Sequence, residues 1–254
     1  MTYKLLVLIF SLFLMSCKSQ QIQSEKEINV LFIGNSLTYF HDMPQMLQTM
    51  LNETHPNINI HQSTFPGMQL DGHLNHIIVS KTENGISTRK KEANEITETE
   101  IKIKERKWDI VIVQTGGASV LDSRKSVVNK TILDIKGLVN NLDCKFILFS
   151  TWISLDAHNK KDTEDKITLL NGAYTELAEY NKIIKSNNGN KFYEITTTYP
   201  SINLYEDNYH PNENGSFLNA CIFYEILTNS KASDLKYTGD IEPEIAQLLK
   251  EIAY

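Results

Sequence analysis

Val30-Leu31-Phe32-Ile33-Gly34-Asn35-Ser36-Leu37-Thr38 passes from four consecutive apolar residues through a glycine into small polar side chains. An unbroken apolar run suits a strand buried on both faces, the habit of parallel sheets covered by helices. Gly34 permits a tight turn at the end of that strand. Ser36 behind it can present a hydroxyl at the edge where open α/β sheets bind ligands. Small polar residues at such a turn also cap helices, and a helix follows. Met43, Met46, Leu47, Met50 and Leu51 recur at helical spacing around Pro44, a residue favoured in a first turn.

Outward from this stretch, which opens at Ile28, four further apolar runs are Ile58-Asn59-Ile60-His61-Gln62, Asp109-Ile110-Val111-Ile112-Val113, Lys145-Phe146-Ile147-Leu148-Phe149 and Lys191-Phe192-Tyr193-Glu194-Ile195. Intervals of roughly 30 to 45 residues suit parallel strands with helical crossovers and predict an α/β domain. Leu70, Leu74, Ile77 and Ile78 predict a second helix face, and Leu169, Leu170, Ala173, Tyr174, Leu177 and Ala178 a third. Lys81 to Lys107 carries eight basic and six acidic residues, with Ile96 and Ile103 seven apart, and reads as a solvated helix ahead of the third strand.

Composition sets bounds on function. The 254 residues are 41% hydrophobic and 22% charged, which places the chain among ordinary globular proteins. Lys and Arg number 25 against 31 Asp and Glu, a net charge of −6, so the basic face needed to track nucleic-acid phosphates is not expected. Cys17, Cys144 and Cys221 show no CxxC spacing, and the latter two read as buried thiols. His73 and His76 lie three apart, but no carboxylate or thiol accompanies them at ligand spacing, so no metal site is expected.

The N-terminus reads as a leader. Lys4 precedes an apolar run from Leu5 to Met15 that would reach only about 16 Å as a helix, half the bilayer core. Leu14-Met15-Ser16-Cys17 resembles the lipobox of bacterial lipoproteins, which implies cleavage after Ser16 and acylation of Cys17. Residues 1–16 are thus a signal peptide, the polar residues 17–27 a tether, and 28–254 the folded domain. Loss of 1–16 removes Lys4 and leaves 24 basic against 31 acidic residues, a net of −7. The expected location is the bacterial cell envelope, lipid-anchored and outside the cytoplasm.

A nucleophilic serine needs a histidine to take its proton, and the histidine needs an acceptor on its other ring nitrogen. Asp207-Asn208-Tyr209-His210-Pro211 supplies such a pair, three residues apart, on a loop halted by proline. With both ends in view, the chain resembles the SGNH (GDSL-like) hydrolase superfamily. The first block of that superfamily is a strand ending in G-D/N-S-L, here Gly34-Asn35-Ser36-Leu37, and its last is D-x-x-H-P, here Asp207 to Pro211.

The resemblance covers roughly residues 28 to 228. It implies a three-layer, flavodoxin-like α/β/α sandwich with a five-stranded parallel sheet of order 2-1-3-4-5. It also implies a Ser36 nucleophile, a His210 base and an Asp207 orienter acting on esters, with no metal or organic cofactor. Gly67 stands where the family's second block gives an oxyanion-hole N–H. The third block, G-x-N-D, is absent, and the third strand leads instead into Gln114-Thr115-Gly116-Gly117-Ala118-Ser119. Gln114 is the first amide after Val113 and is expected to join the N–H groups of Ser36 and Gly67 as the oxyanion donor, with Thr115 and Ser119 as competitors. Tyr39, Phe40, His41 and Trp152 are candidates for the pocket wall or for ordinary packing.

The expected activity is hydrolysis of an ester, a small acyl group on an extracytoplasmic carbohydrate, with the membrane as partner through the anchor. Two alternatives are an inactive lipoprotein of this fold that binds glycan or protein, and a lipase or phospholipase. The anchor has its own test: Cys17→Ala should move the mature chain from the membrane to the soluble fraction or block its processing. Unchanged membrane association would remove the lipidation reading.

Overall fold

The structure is a computed structural model that describes residues 26–82, 85–121, 124–153 and 160–254, without the side chains of 160–162. Cys17, the leader and most of the tether lie outside the described residues. In chain order the elements are β1 (Ile28–Gly34), α1 (Ser36–Tyr39), α2 (Met43–Thr54), β2 (Ile58–Thr64), α3 (Gly72–Asn75), β3 (His76–Thr82), β4 (Gly85–Lys90), α4 (Glu98–Lys104) and β5 (Ile110–Gln114). There follow α5 (Gly117–Leu121), α6 (Lys125–Leu138), β6 (Lys145–Phe149), α7 (Lys160–Asn181), β7 (Ile184–Lys185), α8 (Asn188–Thr198), α9 (Glu213–Thr228) and α10 (Pro243–Ala253).

Five parallel strands form the central sheet in the order β2-β1-β5-β6-β7, so the chain reverses direction of winding between β1 and β5. This is the 2-1-3-4-5 order with the β3–β4 hairpin set aside. Side chains alternate across the sheet as strand geometry requires. Val30, Phe32, Ile112, Ile147 and Phe149 face α2, α9 and α10, where Leu47, Met50, Phe217, Phe223 and Leu249 are buried against them. Leu31, Ile33, Val111, Val113 and Leu148 face the other way, onto Ile103, Trp108, Ile132, Ile135, Tyr174 and Leu177. Neither face meets water, which is why these strands read as unbroken apolar runs. Phe223 fills the space above the middle of the sheet, edge-on to Phe32 at 5.1 Å and to Phe149 at 4.8 Å.

Five expectations are corrected. The segment Lys191 to Ile195 is not the fifth strand but part of α8, with Phe192 and Ile195 buried one helical turn apart. A five-residue window fits both periods here, with Tyr193 and Ile195 two apart as on a strand and Phe192 and Ile195 three apart as on a helix. The true fifth strand, β7, is two residues long and joins only Ile147 and Leu148 of β6. The Lys81–Lys107 segment is not one helix, because Lys81 and Thr82 end β3, Gly85–Lys90 form β4, and only Glu98–Lys104 is helical. The Asn84-Gly85 dipeptide is a hairpin signal that the mixed charges obscured. Ile77 and Ile78 belong to β3, which leaves α3 a single turn over Leu74. Leu169, assigned to the apolar face of α7, is exposed. Cys144 and Cys221 are free thiols, the second fully buried and the first half-buried.

One buried polar chain ties the β1 end to α3 and α4. His73 Nε2 lies 3.0 Å from the Gly34 carbonyl, which can only accept, so Nε2 carries the proton. Nδ1 then accepts from Thr99 Oγ1 at 2.8 Å, and Thr99 in turn accepts from Ser63 Oγ at 2.9 Å. Burial pushes the His73 pKa down to about 4. The folded value lies below that of an unfolded histidine, so this contribution to stability is complete above about pH 6.5 and is lost as pH falls toward 4. Between those limits the wild type should lose about 3 kcal/mol more stability than His73→Gln. Denaturation of both proteins across that range is the measurement, and parallel curves would contradict the assignment.

Candidate active site

The site is assembled at the carboxyl end of the sheet, where β1 and β5 adjoin. Asn35 is the N-cap of α1: its backbone is extended and its Oδ1 accepts the Leu37 N–H at 3.1 Å. Ser36 is therefore the first residue of a one-turn helix, and its N–H donates to no acceptor among the described residues. Gly34 is required here for space. A Cβ at this position would lie 2.5 Å from Thr38 Oγ1 and 2.6 Å from Gln114 Oε1.

His210 arrives on a loop that closes on itself. Asp207 Oδ1 accepts the N–H groups of Tyr209 at 2.6 Å and His210 at 2.7 Å, while Oδ2 accepts His210 Nδ1–H at 2.8 Å. Behind it Asn212 caps α9 through the Gly215 N–H, and Tyr205 pairs with Pro211. The hydrogen bond from His210 holds the Asp207 carboxyl down to about 2, with the two backbone donors adding to it. Because the carboxylate fixes the proton on Nδ1, Nε2 presents a lone pair, and Ser36 Oγ donates to it at 2.9 Å. Phe40 stacks on the His210 ring at 4.3 Å and 10°, which fixes the plane of the imidazole. Ser36, His210 and Asp207 thus form one hydrogen-bonded line, although Ser36 and His210 are 174 residues apart.

Gly67 occupies a turn over Phe65 to Met68, with Pro66 before it, a φ of 64° at the glycine, and Met68 N–H donating to Phe65 C=O at 3.2 Å. Phe65 N–H reaches the Gly34 carbonyl at 3.1 Å, which sets this turn beside Asn35 and Ser36. Like that of Ser36, the Gly67 N–H has no acceptor among the described residues. Across the site the β2 loop meets the β5 loop through Ser119 Oγ, which donates to Gln69 Oε1 at 2.7 Å. Ser119 is thereby engaged. A polar groove of about 340 Å³ opens from Gly67 between Asp71, His76, Thr88 and Arg124.

Gln114 is buried beneath the Ser36 turn. Its Oε1 accepts Asn35 N–H at 2.8 Å and Thr38 Oγ1–H at 3.2 Å, and these donors fix which way the amide faces. Its Nε2 and the neighbouring Thr115 Oγ1 are buried without a hydrogen-bond partner. Sequence reasoning foresaw Gln114 at this edge but not the acceptor role, which depends on the β1–β5 register.

Of the other candidates, His41 pairs with Glu206 at 2.9 Å, Tyr39 is half-buried, and Trp152 is buried and donates to the Tyr209 carbonyl at 2.9 Å. His73 has both ring nitrogens engaged as described above, and no group of three or more His, Cys, Asp or Glu gathers in metal-binding geometry among the described residues.

No family model matches this sequence, and no curated protein matches it significantly. Solved structures do. A DUF4886 family protein from Bacteroides uniformis superposes with a TM-score of 0.69 at 18% identity, over 90% of this chain and 93% of that one. A protein from Slackia heliotrinireducens assigned to the SGNH hydrolases gives 0.58 at 18% identity, over 80% and 100%. Axe2, an acetylxylan esterase from Geobacillus stearothermophilus, gives 0.54 at 16%, over 80% and 95%. Catalytic mutants of Axe2 replace a serine, an aspartate, and a histidine three positions after the aspartate. With its five parallel strands in the order β2-β1-β5-β6-β7 between two helical layers, the chain has the fold of the SGNH hydrolases.

Proposed function

We propose that the chain is a serine ester hydrolase that removes a small acyl group from a carbohydrate outside the cytoplasm, held to the membrane at Cys17. The observation that carries this reading is the line Asp207–His210–Ser36 at 2.8 and 2.9 Å. The serine, aspartate and histidine altered in the Axe2 mutants, with the same Asp-to-His spacing, support it. The polar groove beside Gly67 favours a hydroxyl-rich alcohol over an acyl chain as the larger part of the substrate.

In this mechanism Ser36 Oγ attacks the ester carbonyl while His210 Nε2 takes its proton, and Asp207 stabilises the imidazolium across Nδ1. The carbonyl oxygen becomes negative and is met by the N–H groups of Ser36 and Gly67. His210 then protonates the departing alcohol. Water, deprotonated by His210, attacks the acyl-enzyme, and collapse returns the proton to Ser36 and releases the acid. Charge develops on His210 only in passing, and the Phe40 face stacked on it stabilises that charge.

Ser36→Ala and His210→Ala should each lower kcat on p-nitrophenyl acetate by at least about 10⁴-fold with little change in Tm, since neither empties a large core volume. Asp207→Asn should cost roughly 100- to 10⁴-fold, because the amide cannot accept from the ring and from both backbone donors at once. Wild-type turnover in Ser36→Ala would end the mechanism, and a preference for long-chain over short-chain esters would favour a lipase.

Gln114 Nε2, buried and without a partner, is proposed as a third oxyanion donor behind the Ser36 and Gly67 N–H groups. Gln114→Glu keeps an acceptor for Asn35 and Thr38 but replaces that donor, and should lower kcat by roughly 100- to 1000-fold with a smaller change in KM. An unaltered kcat in a folded variant would confine Gln114 to holding the turn.

A further inference from the structure

The amino ends of the strands lie opposite the Ser36 turn and carry a surface that ester hydrolysis does not use. Between the ends of α6 and α7 and the start of β6, a groove of about 500 Å³ is bordered by Lys136, Leu142, Lys145, Phe146, Lys182 and Ile184. Leu142 is fully exposed and Ile184 is 52% exposed. Lys136 Nζ donates to the Asn181 carbonyl at 2.6 Å, and Lys145 and Lys182 make no side-chain hydrogen bond or ion pair among the described residues. Segments 136–145 and 182–185 together hold four lysines against one aspartate, Asp143, in a chain whose net charge is −6. The fourth of these, Lys185, is engaged by Asn171. Asp109, beside Cys144, is held by Lys26, so lysines outnumber carboxylates around the protruding leucine although the chain as a whole is acidic.

The chain enters the fold at the same end. Lys26 Nζ holds the Asp109 carboxylate at 2.9 Å, and the Asp109 carbonyl accepts Lys145 N–H at 2.9 Å. With neighbouring strands about 4.8 Å apart, the entry of the chain lies roughly 10 Å from the lysine groove. The nine steps from Cys17 to Lys26 cannot span more than about 32 Å in any conformation.

We propose that this end of the sheet is a membrane-docking surface that seats on an anionic phospholipid bilayer. Lys136, Lys145 and Lys182 meet lipid phosphates, Leu142 enters the headgroup boundary, and the Ser36 site faces away from the lipid. The proposal rests on the Cys17 anchor but not on the esterase chemistry. An apolar side chain beside three ammonium groups, two of them (Lys145 and Lys182) without a side-chain partner among the described residues, matches the two layers of such a surface, and lysine stems can lie along the apolar part. Each lysine near an anionic surface strengthens binding roughly fivefold. An anchor at Cys17 makes the contact intramolecular, so weak individual contributions suffice to orient the domain.

The test uses the full lipidated chain in vesicles, with an environment-sensitive fluorophore on Leu142→Cys in a Cys144→Ser background. In mixed phosphatidylglycerol–phosphatidylcholine vesicles the fluorophore should shift to the blue and gain several-fold protection from iodide quenching. In pure phosphatidylcholine, in high salt, or with Lys136, Lys145 and Lys182 all changed to Glu, it should remain exposed. A fluorophore on Thr88→Cys, beside the Gly67 groove, should stay exposed throughout. Equal exposure of the Leu142 probe in both lipids, or protection of both probes, would overturn the proposal. If fractionation finds no lipid on Cys17, salt-sensitive co-sedimentation of the chain with the same anionic vesicles reads the surface directly, and its absence overturns the proposal as well.

Discussion

Gln114 Oε1 receives the Asn35 N–H at 2.8 Å and the Thr38 hydroxyl at 3.2 Å, in a space that stays open only because Gly34 has no Cβ. Both donors are buried, so losing the acceptor would leave a backbone N–H unsatisfied at a cost of about 1–3 kcal/mol. The same few residues carry other connections. The Gly34 carbonyl accepts from Phe65 N–H and His73 Nε2, which fixes the Gly67 turn on one side and the α3–α4 layer beneath. Three strands, β2, β1 and β5, therefore deliver their loops to one turn, and the position of Ser36 follows from sheet register.

The histidine side is built differently. Asp207 satisfies the backbone of its own loop with one oxygen and orients the ring with the other, so the Asp–His pair is set by a four-residue segment. What the sheet and α9 contribute is the placement of that preassembled unit against Ser36. Phe40, which directly follows α1, lies on His210 and links the two halves. The serine side is specified by long-range register and the histidine side by local turn chemistry.

That division explains what could be read from the chain. Asp207 and His210 were legible because their interaction is contained in the motif, and β1, β5 and β6 because burial on both faces leaves unbroken apolar runs. Ser36 was legible as a residue behind Gly34 at a strand end. The orientation of the Gln114 amide was not, since its partners, Asn35 and Thr38, are 79 and 76 residues away and meet it only through strand pairing. β7 escaped because two residues carry no period, and the β3–β4 hairpin because its strands are exposed on much of their surface and lack apolar alternation. The lysine cluster at the amino ends was equally hidden, because Lys136 lies on the connection from β5 to β6, Lys145 at its end where β6 opens, and Lys182 on the next one, from β6 to β7.

The 174-residue separation of Ser36 and His210 also has a consequence in time. The β1 turn leaves the ribosome early, whereas the Asp207–His210 loop emerges only after nearly the whole sheet has been synthesised. At typical rates of synthesis the interval is roughly 10 to 35 s. Throughout it Ser36 Oγ has no His210 ring to donate to, so the Asp207–His210–Ser36 line cannot form in the emerging polypeptide. A truncated product ending before Asp207 would lack that line as well, even if β1, β5 and β6 had already paired.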